Sequence, residues 1–441
     1  MPSPVRPVPT SAPAPSSVVV VGAGLAGART VAALRELGHA GRITLLGAEG
    51  VPPYDRPPLS KELLSRPRPA WLAEDLGIDV EELADDVRLA DPAVALAPAA
   101  DPAAGHVVTT RSGDAVRADA VVLAVGSVPV RPAGWDAARV LHTAEDAAAL
   151  RALVAPGLRL AVVGAGWIGA ELAGVVAGAG ADVTVVEAGG TPLERQLGPD
   201  VGAHLARWYD DAGARLVAGT AVVQVRADGV RLADGTEVPA DVVLAAVGAR
   251  PATDWLDGVV PRDARGTVRV DATGAVPGVP GVWAVGDCAT REHPLLGPVP
   301  GGHWSAALHD PEPTARALLG LDGADAAHAP YVFSQQLGHD LALLGVPRAG
   351  DAVLFRGDPS GGPSGREGWA ALYVDPAHVP AGGAAAVGPD GDHAVPVRAV
   401  LLVDSPRDVG TVRKAMNRPA PFRLDLAAAL DPAVRLRDAV A

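Results

Sequence analysis

The fold of this 441-residue chain is decided by the stretch Val18-Val19-Val20-Val21-Gly22-Ala23-Gly24-Leu25-Ala26-Gly27. The four valines form a short β-branched run, which favours a buried strand. A G-x-G-x-x-G pattern follows at once and leads into an Ala- and Leu-rich stretch up to Leu37, before Gly38 supplies a helix stop. A second apolar run at 43–46 predicts another strand. These residues together predict a strand–helix–strand unit.

The same pattern recurs near the middle of the chain. An apolar run at 160–163 leads into Gly164-Ala165-Gly166-Trp167-Ile168-Gly169 and a helical stretch that ends before Gly180. A further apolar run at 183–186 is followed by Glu187 and closes the second unit. This is the duplication of an architecture rather than a short-period repeat, so a solenoid is not indicated.

The glycines of both fingerprints have separate physical roles. The first allows a tight turn, the second lets the backbone approach a pyrophosphate, and the third lets the helix pack closely on the strand. The helix N-terminus then offers unpaired N–H groups and a partial positive charge to the phosphates. One such turn can form without any ligand, but two in full strand–turn–helix context predict two Rossmann-like sites for dinucleotides. The glycine pairs, in this order, are Gly22 and Gly164, Gly24 and Gly166, and Gly27 and Gly169.

Acidic residues near the second strand of each unit are the candidates for binding an adenosine ribose. Glu187 comes directly after this strand in the second unit, and its carboxylate would repel a 2′-phosphate, which favours NADH over NADPH. In the first unit the corresponding acid is Glu49. It lies farther along the chain than usual because residues 39–42 lengthen the turn before the strand.

Composition limits the possible classes of protein. Hydrophobic residues make up 49% of the chain but aromatic residues only 3%, so the interior must be built mainly from Ala, Val and Leu, which suits parallel sheets covered by helices. The formal charge of −14 argues against a nucleic-acid partner. Cys288 is the only cysteine, which excludes a disulfide framework and the paired thiols of a dithiol reductase. With no apolar run of membrane-spanning or signal-peptide length, we expect a soluble cytoplasmic protein and no membrane partner.

Composition changes also indicate the organisation of the chain. Residues 1–15 are rich in Pro, Ser and Ala, which predicts a flexible tail. Apolar runs at 121–125 and 242–247 end at Gly126 and Gly248, and we interpret them as crossings between domains.

The pattern changes after about residue 326, where no further glycine fingerprint occurs. Apolar runs at 341–344 and 400–403 alternate there with loops at 358–365 and 379–391 that are rich in Gly, Pro and Ala. This pattern predicts a C-terminal α+β domain with mobile surface loops.

A long and specific motif, Pro53-Tyr54-Asp55-Arg56-Pro57-Pro58-Leu59-Ser60-Lys61, follows the first unit. With it the chain resembles the FAD-dependent NADH:ferredoxin reductases of bacterial oxygenase systems, typified by putidaredoxin reductase and the biphenyl dioxygenase reductase and similar to apoptosis-inducing factor. The resemblance covers nearly the whole chain. Its further matches are residues 124–126 with Arg131, 143–147, 166–171, 285–289 and 303–304.

The resemblance implies an α/β fold of the glutathione-reductase type, with two Rossmann-like dinucleotide-binding domains and a C-terminal α+β domain. The implied FAD-binding domain is split between 16–129 and 251–325, the NAD-binding domain occupies 130–250, and the C-terminal domain occupies 326–441.

The resemblance also implies roles for individual residues. Asp287 would hold the ribityl chain of the flavin, Lys61 would lie near the flavin ring, and Trp304 beside its pyrimidine side. Glu171 would meet the nicotinamide amide, so that Lys61 and Glu171 are the catalytic candidates. Two simpler interpretations stay open: an exposed lysine is ordinarily solvated, and Asp287 is also a typical cap for a following helix. The other implied cofactor contacts are Ala26, Arg56, Val87, Gly126, Arg131, Ile168 and Gly248.

Some positions depart from the pattern of the resembled family. His142 replaces an arginine, Gly302 an acid, Ala306 an asparagine and Gln335 an acid. These departures fall around the expected flavin pocket, where hydrogen bonds and charge tune the cofactor, so they put the flavin potential and the electron acceptor in question.

The implied reaction passes a hydride from the nicotinamide C4 of NADH to flavin N5 and then single electrons to a [2Fe–2S] ferredoxin. Because such partners are usually acidic, a local basic surface is expected. Two other hypotheses stay open, namely a flavin- and NADH-dependent enzyme that reduces oxygen or a small molecule, and a redox-sensing FAD- and NAD-binding protein. The chain could be a monomer or a homodimer. The candidates for the basic surface are Arg56, Arg66, Arg68, Arg291 and Arg348.

Scattered histidines do not predict a metal site because they lack ligand spacing. We expect them to be surface or core residues, and we expect Cys288 to be a small buried residue rather than a reactive thiol. The histidines in question are His204, His303, His309, His328 and His339.

Overall fold

A computed structural model describes residues 14–323, 328–361, 367–379 and 394–441. Most of the predicted tail at 1–15, parts of the predicted loops at 358–365 and 379–391, and the predicted start of the C-terminal domain at 326 lie outside these residues.

The first strand–helix–strand unit forms as the sequence predicts. Strand β1 (Ser17–Val21) leads into helix α1 (Leu25–Glu36), and strand β2 (Arg42–Leu46) pairs with β1 in parallel. Both strands are buried apart from their first residues, so they lie inside a sheet that is covered on both faces. The next elements are β3 (Tyr54–Asp55), α2 (Pro58–Lys61), β4 (Ala70–Trp71), α3 (Leu72–Asp75), α4 (Val80–Leu83), β5 (Asp86–Arg88), β6 (Ala93–Ala97), β7 (His106–Thr110), β8 (Ala115–Ala118), β9 (Ala120–Leu123) and β10 (Ser127–Pro129).

The second unit repeats this geometry. Strand β11 (Arg159–Val163), helix α6 (Trp167–Ala177) and strand β12 (Asp182–Val186) follow one another, and the two strands pair in parallel. Helix α5 (Ala144–Arg151) precedes them. The elements that follow are α7 (Glu194–Leu197), α8 (Pro199–Leu205), α9 (Arg207–Asp211), β13 (Ala214–Val217), β14 (Val222–Arg226), β15 (Gly229–Leu232), β16 (Glu237–Pro239), β17 (Val242–Ala245) and β18 (Ala249–Pro251).

The remaining elements complete the first sheet and form a separate antiparallel one. Before residue 320 they are β19 (Val268–Val270), β20 (Val282–Ala284), β21 (Ala289–His293), β22 (Gly297–Pro300), α10 (Trp304–His309) and α11 (Pro311–Leu318). After it they are β23 (Tyr331–Gln336), β24 (His339–Gly345), β25 (Ala352–Arg356), β26 (Trp369–Val374), β27 (Ala394–Val403), α12 (Pro406–Met416), β28 (Arg423–Asp425) and α13 (Leu426–Leu430).

Two parallel sheets form the centre of the molecule. The first has the order β20–β9–β1–β2–β5 and the second the order β13–β12–β11–β17. Strand β20 returns to the first sheet from beyond the whole second unit, since it pairs with β9. The C-terminal sheet is antiparallel, with the order β23–β24–β27–β26–β25. The predicted α/β fold class is therefore confirmed.

The crossings between the two parallel sheets lie later in the chain than the sequence suggested. The apolar runs at 121–125 and 242–247 mostly form β9 and β17, which are buried strands inside the sheets. The chain crosses only after Gly126 and Gly248, where β10 and β18 form an antiparallel ribbon. The apolar runs were misinterpreted because a buried parallel strand is apolar along its whole length.

Helix α6 packs directly against the C-terminal sheet at a glycine. A Cβ at Gly174 would lie 2.8 Å from the backbone nitrogen of Leu337, in the turn between β23 and β24. This close approach lets β23 lie along the helix, next to the buried face that carries Glu171.

We expect Gly174→Ala to destabilise the protein by about 1–3 kcal/mol, because the added methyl group overlaps backbone that cannot move freely. Gly410→Ala is the matched control, since Gly410 lies exposed in α12 with nothing within 4 Å of its Cβ position. That control should stabilise the helix by up to about 1 kcal/mol. Urea unfolding of both variants measures the difference, and equal midpoints would contradict the packing.

Candidate functional site

In both glycine turns, the first and third glycines are required by the fold, whereas the middle glycine faces open space. At Gly22 (φ 112°) a Cβ would overlap the carbonyl oxygen of Ala124, and at Gly27 it would overlap the carbonyl oxygen of Gly22. At Gly24 a Cβ would have nothing within 4 Å, and φ is −82°. The fold itself therefore requires the outer glycines, whereas the middle one faces open space.

The second turn repeats this result. A Cβ at Gly164 (φ 105°) would overlap the carbonyl oxygen of Ala246, and one at Gly169 would overlap that of Gly164, but Gly166 has nothing within 4 Å. Neither α1 nor α6 has a side-chain cap at its N-terminus. The first-turn N–H groups thus face the open space, which is the arrangement that a pyrophosphate needs. Both turns fit a dinucleotide.

Glu187 lies at the edge of the second turn, as predicted. Its carboxylate accepts hydrogen bonds from the backbone N–H of Ala165 at 2.7 Å and of Gly189 at 2.8 Å. Each oxygen retains a lone pair, so a ribose hydroxyl can still donate to it. The side chain therefore both holds the turn and remains available as an acceptor.

The first turn is built differently at this point. In the first turn the N–H of Gly22 donates to Leu46 O, and in the second turn the N–H of Gly164 donates to Val186 O. Leu46 and Val186 therefore correspond, and the residue after Leu46, Gly47, is the structural equivalent of Glu187. A Cβ at Gly47 would lie 2.9 Å from Ala23 Cβ, which leaves no room for a side chain.

Glu49 lies two residues beyond this position and has partners of its own. It accepts a hydrogen bond from Tyr54 Oη at 2.6 Å and forms an ion pair with Arg56. The Tyr54 hydroxyl in turn accepts from Ala144 N at 2.9 Å, at the start of α5. Contacts of Glu49 and Arg56 with a cofactor stay predictions.

A buried ion pair joins three parts of the chain. Lys61 Nζ lies 2.8 Å from Glu171 Oε1, and Glu171 is 3% exposed. The same carboxylate accepts hydrogen bonds of 2.5 Å from Ser60 Oγ and from Ser334 Oγ. The lysine side chain is only 12% exposed, so it is not a solvated surface lysine. Sequence reasoning found the lysine and the glutamate but not the two serines, although Ser60 lies in the long motif and Ser334 directly precedes Gln335.

Asp287 has a position that excludes the helix-cap interpretation. The chain continues from it into β21 rather than into an α-helix. Its carboxylate accepts a hydrogen bond from Ser127 Oγ at 2.9 Å and one from Gly302 N at 3.1 Å. Burial raises the pKa of Asp287 above the usual range, and these two hydrogen bonds oppose the rise.

Exposed apolar side chains lie on helices α6 and α10 and on strand β23. Trp304 begins α10 and is 36% exposed, and its Nε1 donates to Asp55 Oδ1 at 2.8 Å. Burial raises the pKa of Asp55, while the indole hydrogen bond lowers it. Ile168 and Phe333 are also exposed. Because large apolar groups are usually buried, such exposure is typical of a ligand surface.

The positions that depart from the family pattern lie among defined local contacts. Gly302 has a φ of 96°, a conformation that would strain an acidic residue. Its N–H donates a hydrogen bond to Asp287 Oδ1. The N–H of Ala306 donates to His303 Nδ1, which caps α10. Gln335 Nε2 donates to Asp340 Oδ1 at 3.0 Å.

His142 lies beside Arg56, which donates a hydrogen bond to its carbonyl oxygen. Burial and the nearby guanidinium lower the pKa of His142, so the position that the family fills with an arginine holds a neutral side chain here at pH 7.

The other implied contacts lie at the same edges of the sheets. Ala26 lies next to the segment 285–289, since a Cβ at Gly286 would be 2.9 Å from Ala26 Cβ. Val87 is on β5, paired beside Leu45. Arg131 is exposed. Gly126 and Gly248 both have positive φ angles and open space at the Cβ position.

Most candidates for the predicted basic surface are buried or paired with a carboxylate. Arg291 is buried and donates to Ala272 O, Asp310 O and Thr314 Oγ1, so its assignment to a surface is wrong. Arg66 bonds to Asp75 at 2.6 Å, and Arg68 lies 3.7 Å from Glu74. These neighbouring carboxylates neutralise much of their charge.

Cys288 is fully buried, as predicted. Its Sγ lies 3.3 Å from the carbonyl oxygens of Leu123 and Val285, and burial raises its pKa to about 11. Among the described residues, no cluster of His, Cys, Asp and Glu has the arrangement of a metal site. No helix in the described part of the chain has the length and apolarity that a bilayer span requires.

Comparison with known proteins agrees with this site. Residues 16–308 match the model of the pyridine nucleotide-disulphide oxidoreductase family. This part of the chain includes both glycine turns, the Lys61–Glu171 pair and Asp287. The chain belongs to this family.

Similar proteins include reductase components of oxygenase systems. The ferredoxin–NAD(+) reductase component of the anthranilate 1,2-dioxygenase system of Burkholderia cepacia is 35% identical over 358 residues, or 78% of this chain and 86% of that protein. The corresponding component of the biphenyl dioxygenase system of Paraburkholderia xenovorans is 34% identical over 368 residues, or 78% and 85%. The crystal structure of Fdr9 covers 96% of this chain and 99% of its own, with 36% identity and a TM-score of 0.81. The recognised family resemblance is therefore confirmed.

We expect Lys61→Met to destabilise the protein by about 3–5 kcal/mol, because it leaves the buried Glu171 carboxylate without its cation. The double variant Lys61→Met/Glu171→Gln should regain most of this loss, since the neutral amide can accept from one serine hydroxyl through its oxygen and donate to the other through its NH2 group. Urea unfolding of the two variants and the unchanged protein measures both effects. A single variant as stable as the unchanged protein would show that the pair is not buried.

Proposed function

We propose that this protein is an FAD-dependent oxidoreductase that takes hydride from NADH and passes single electrons to a ferredoxin-type iron–sulfur protein of an oxygenase or P450 system. The observation that carries the proposal is the pair of glycine turns, each with open space only at its middle glycine. The reductase components among the similar proteins support the same electron route.

In this proposal the first turn belongs to an FAD-binding domain formed by 16–129 and 251–325. Gly22, Gly24 and Gly27 would form the pyrophosphate site, and Asp287 would accept hydrogen bonds from the ribityl chain. Further contacts with FAD would come from Ala26, Glu49, Arg56, Lys61, Val87, Gly126, Arg131 and Trp304.

The second turn would belong to an NAD-binding domain at 130–250. Its pyrophosphate site would be formed by Gly164, Gly166 and Gly169, with Glu187 accepting from the ribose. That carboxylate favours NADH, because a 2′-phosphate would meet its negative charge. The other contacts with NADH would come from Ile168, Glu171 and Gly248. The C-terminal domain at 326–441 contributes Ser334 to the junction between the two sites.

The protein supplies positioning rather than a nucleophile or an acid–base pair. When bound, FAD would convert the two electrons of a hydride into single electrons for an iron–sulfur partner. The Lys61–Glu171 pair is held by Ser60 and Ser334. In this proposal it would fix the two sites relative to each other and keep water from the junction between them. A buried, inert Cys288 suits work in the reducing cytoplasm, where we place the protein.

Anaerobic titration with NADH tests the proposal. The purified protein should show a flavin absorbance spectrum that NADH bleaches. NADH oxidation should then be faster with an added [2Fe–2S] ferredoxin than with oxygen alone. A colourless protein would refute the flavin assignment. Turnover with oxygen alone would favour an oxidase or small-molecule reductase, and a stable NADH complex without turnover would favour a redox sensor.

We expect substitutions of the two middle glycines to affect the binding of different cofactors. Gly24→Ala should lower the FAD content of the purified protein, whereas Gly166→Ala should keep FAD and raise the KM for NADH by about tenfold or more. Both variants should fold, because neither Cβ meets another atom. Absorbance and steady-state kinetics measure these effects, with Gly410→Ala as the control. The assignment of the first turn to FAD and of the second to NADH is contradicted if Gly166→Ala loses flavin but binds NADH normally.

A further inference from the structure

One tryptophan stands apart from the hydrophobic cores of the protein. The chain has eight tryptophans, and all of them except Trp304 belong to a hydrophobic cluster of the described residues or pack against one. Trp304 is instead 36% exposed at the first position of α10. Because tryptophan side chains are on average well buried, an indole outside every core is typical of a surface that a ligand covers.

A hydrogen bond holds this ring in one orientation. Trp304 Nε1 donates to Asp55 Oδ1 at 2.8 Å. The acceptor is fixed because Asp55 lies in β3, whose backbone pairs with β4 at Ala70. The backbone at Trp304 is fixed as well, since His303 Nδ1 accepts from Ala306 N and caps α10. The indole is thus held between a strand and a helix, although it belongs to no core.

The carboxylate of Asp55 has few other partners. It is partly buried, and among the described residues no lysine or arginine forms an ion pair with it, since the nearby Arg56 and Lys61 pair with other carboxylates. Burial raises the pKa of Asp55, while hydrogen bonds from the Trp304 indole and from the Arg56 backbone N–H lower it. A partly desolvated carboxylate without a cation costs stability, which is typical of a residue that serves a site rather than the fold.

The place of the ring in the fold relates it to the first dinucleotide site. Helix α10 packs against α1, which begins at the first glycine turn. Two residues before Trp304, the N–H of Gly302 donates to Asp287. On the other side of the contact, Asp55 lies close enough to Lys61 for that charge to lower its pKa. The indole therefore joins the segment that carries Asp287 to the motif that carries Lys61.

We propose that Asp55 is a positioning residue of the FAD site, which holds the Trp304 indole in place as one wall for the flavin ring. Asp55 acts through the indole and needs no contact of its own with the cofactor. This inference rests on the proposed function and adds to it the residue that fixes one wall of the flavin site.

The affinity of the full-length protein for FAD tests this role. Asp55→Ala removes the acceptor, Asp55→Asn removes the charge but keeps an oxygen acceptor, and Trp304→Phe keeps a ring but removes the donor. Trp255→Phe is the matched control, because Trp255 Nε1 donates to Ala252 O within its own turn. Release of FAD on dilution gives the Kd. The fluorescence of the bound flavin reports the position of the indole, because an indole in contact with a flavin quenches its emission.

Asp55→Ala should bind FAD about tenfold more weakly than the unchanged protein, and its bound flavin should fluoresce more strongly. Asp55→Asn should stay within about threefold of the unchanged protein, because the amide oxygen still accepts from the indole. The double variant Asp55→Ala/Trp304→Phe should bind FAD no more weakly than Trp304→Phe alone, since the same hydrogen bond can be lost only once. Trp255→Phe should bind FAD as the unchanged protein does.

The role of Asp55 is overturned if Asp55→Ala keeps its FAD affinity, if Asp55→Asn is as weak as Asp55→Ala, or if the two single losses add. Trp304→Phe changes an exposed ring and serves if Asp55→Ala fails to fold, and an unchanged FAD affinity in it also overturns the role. A colourless unchanged protein would refute the proposed function itself. A flavin that NADH bleaches equally in every variant, at unchanged affinity, would refute only the role of Asp55.

Discussion

The buried ion pair between Lys61 and Glu171 is the interaction on which the arrangement of the site depends. Two charges out of water are costly unless every remaining acceptor is satisfied, and the hydroxyls of Ser60 and Ser334 complete the set. The four residues come from the motif after the first unit, from helix α6 and from the C-terminal sheet. Since the carboxylate is satisfied only when all three parts meet, the pair fixes how the two nucleotide units face each other.

The two units have one backbone design and different adenosine sites. Their outer glycines are required by contacts with neighbouring carbonyl groups, while their middle glycines face open space. The second unit places Glu187 beside its turn, where the carboxylate holds two backbone N–H groups. The first unit has Gly47 there, packed against Ala23, and the nearby Glu49 is joined to Tyr54 and Arg56. The duplicated fold thus differs between the two units at the position that is proposed to contact a ribose.

Much of this could be predicted from sequence because the signals are local. Both glycine turns and their strands follow from short patterns, and Lys61, Glu171 and Asp287 lie within recognisable motifs. The apolar runs before Gly126 and Gly248 were misinterpreted because apolarity does not distinguish a buried strand from a crossing. Arg291 was assigned to the surface because a lone arginine usually is exposed, whereas its Nη1 and Nη2 groups donate to Thr314 and to backbone carbonyls inside the fold.

The sequence by itself determined two dinucleotide-binding units, since a turn that needs glycine is a property of consecutive residues. The tertiary structure alone decided which groups surround the buried carboxylate, because Ser60 and Ser334 are 111 and 163 residues away from Glu171 along the chain. Contacts between distant segments depend on how whole sheets pack, and short sequence patterns carry no information about that packing.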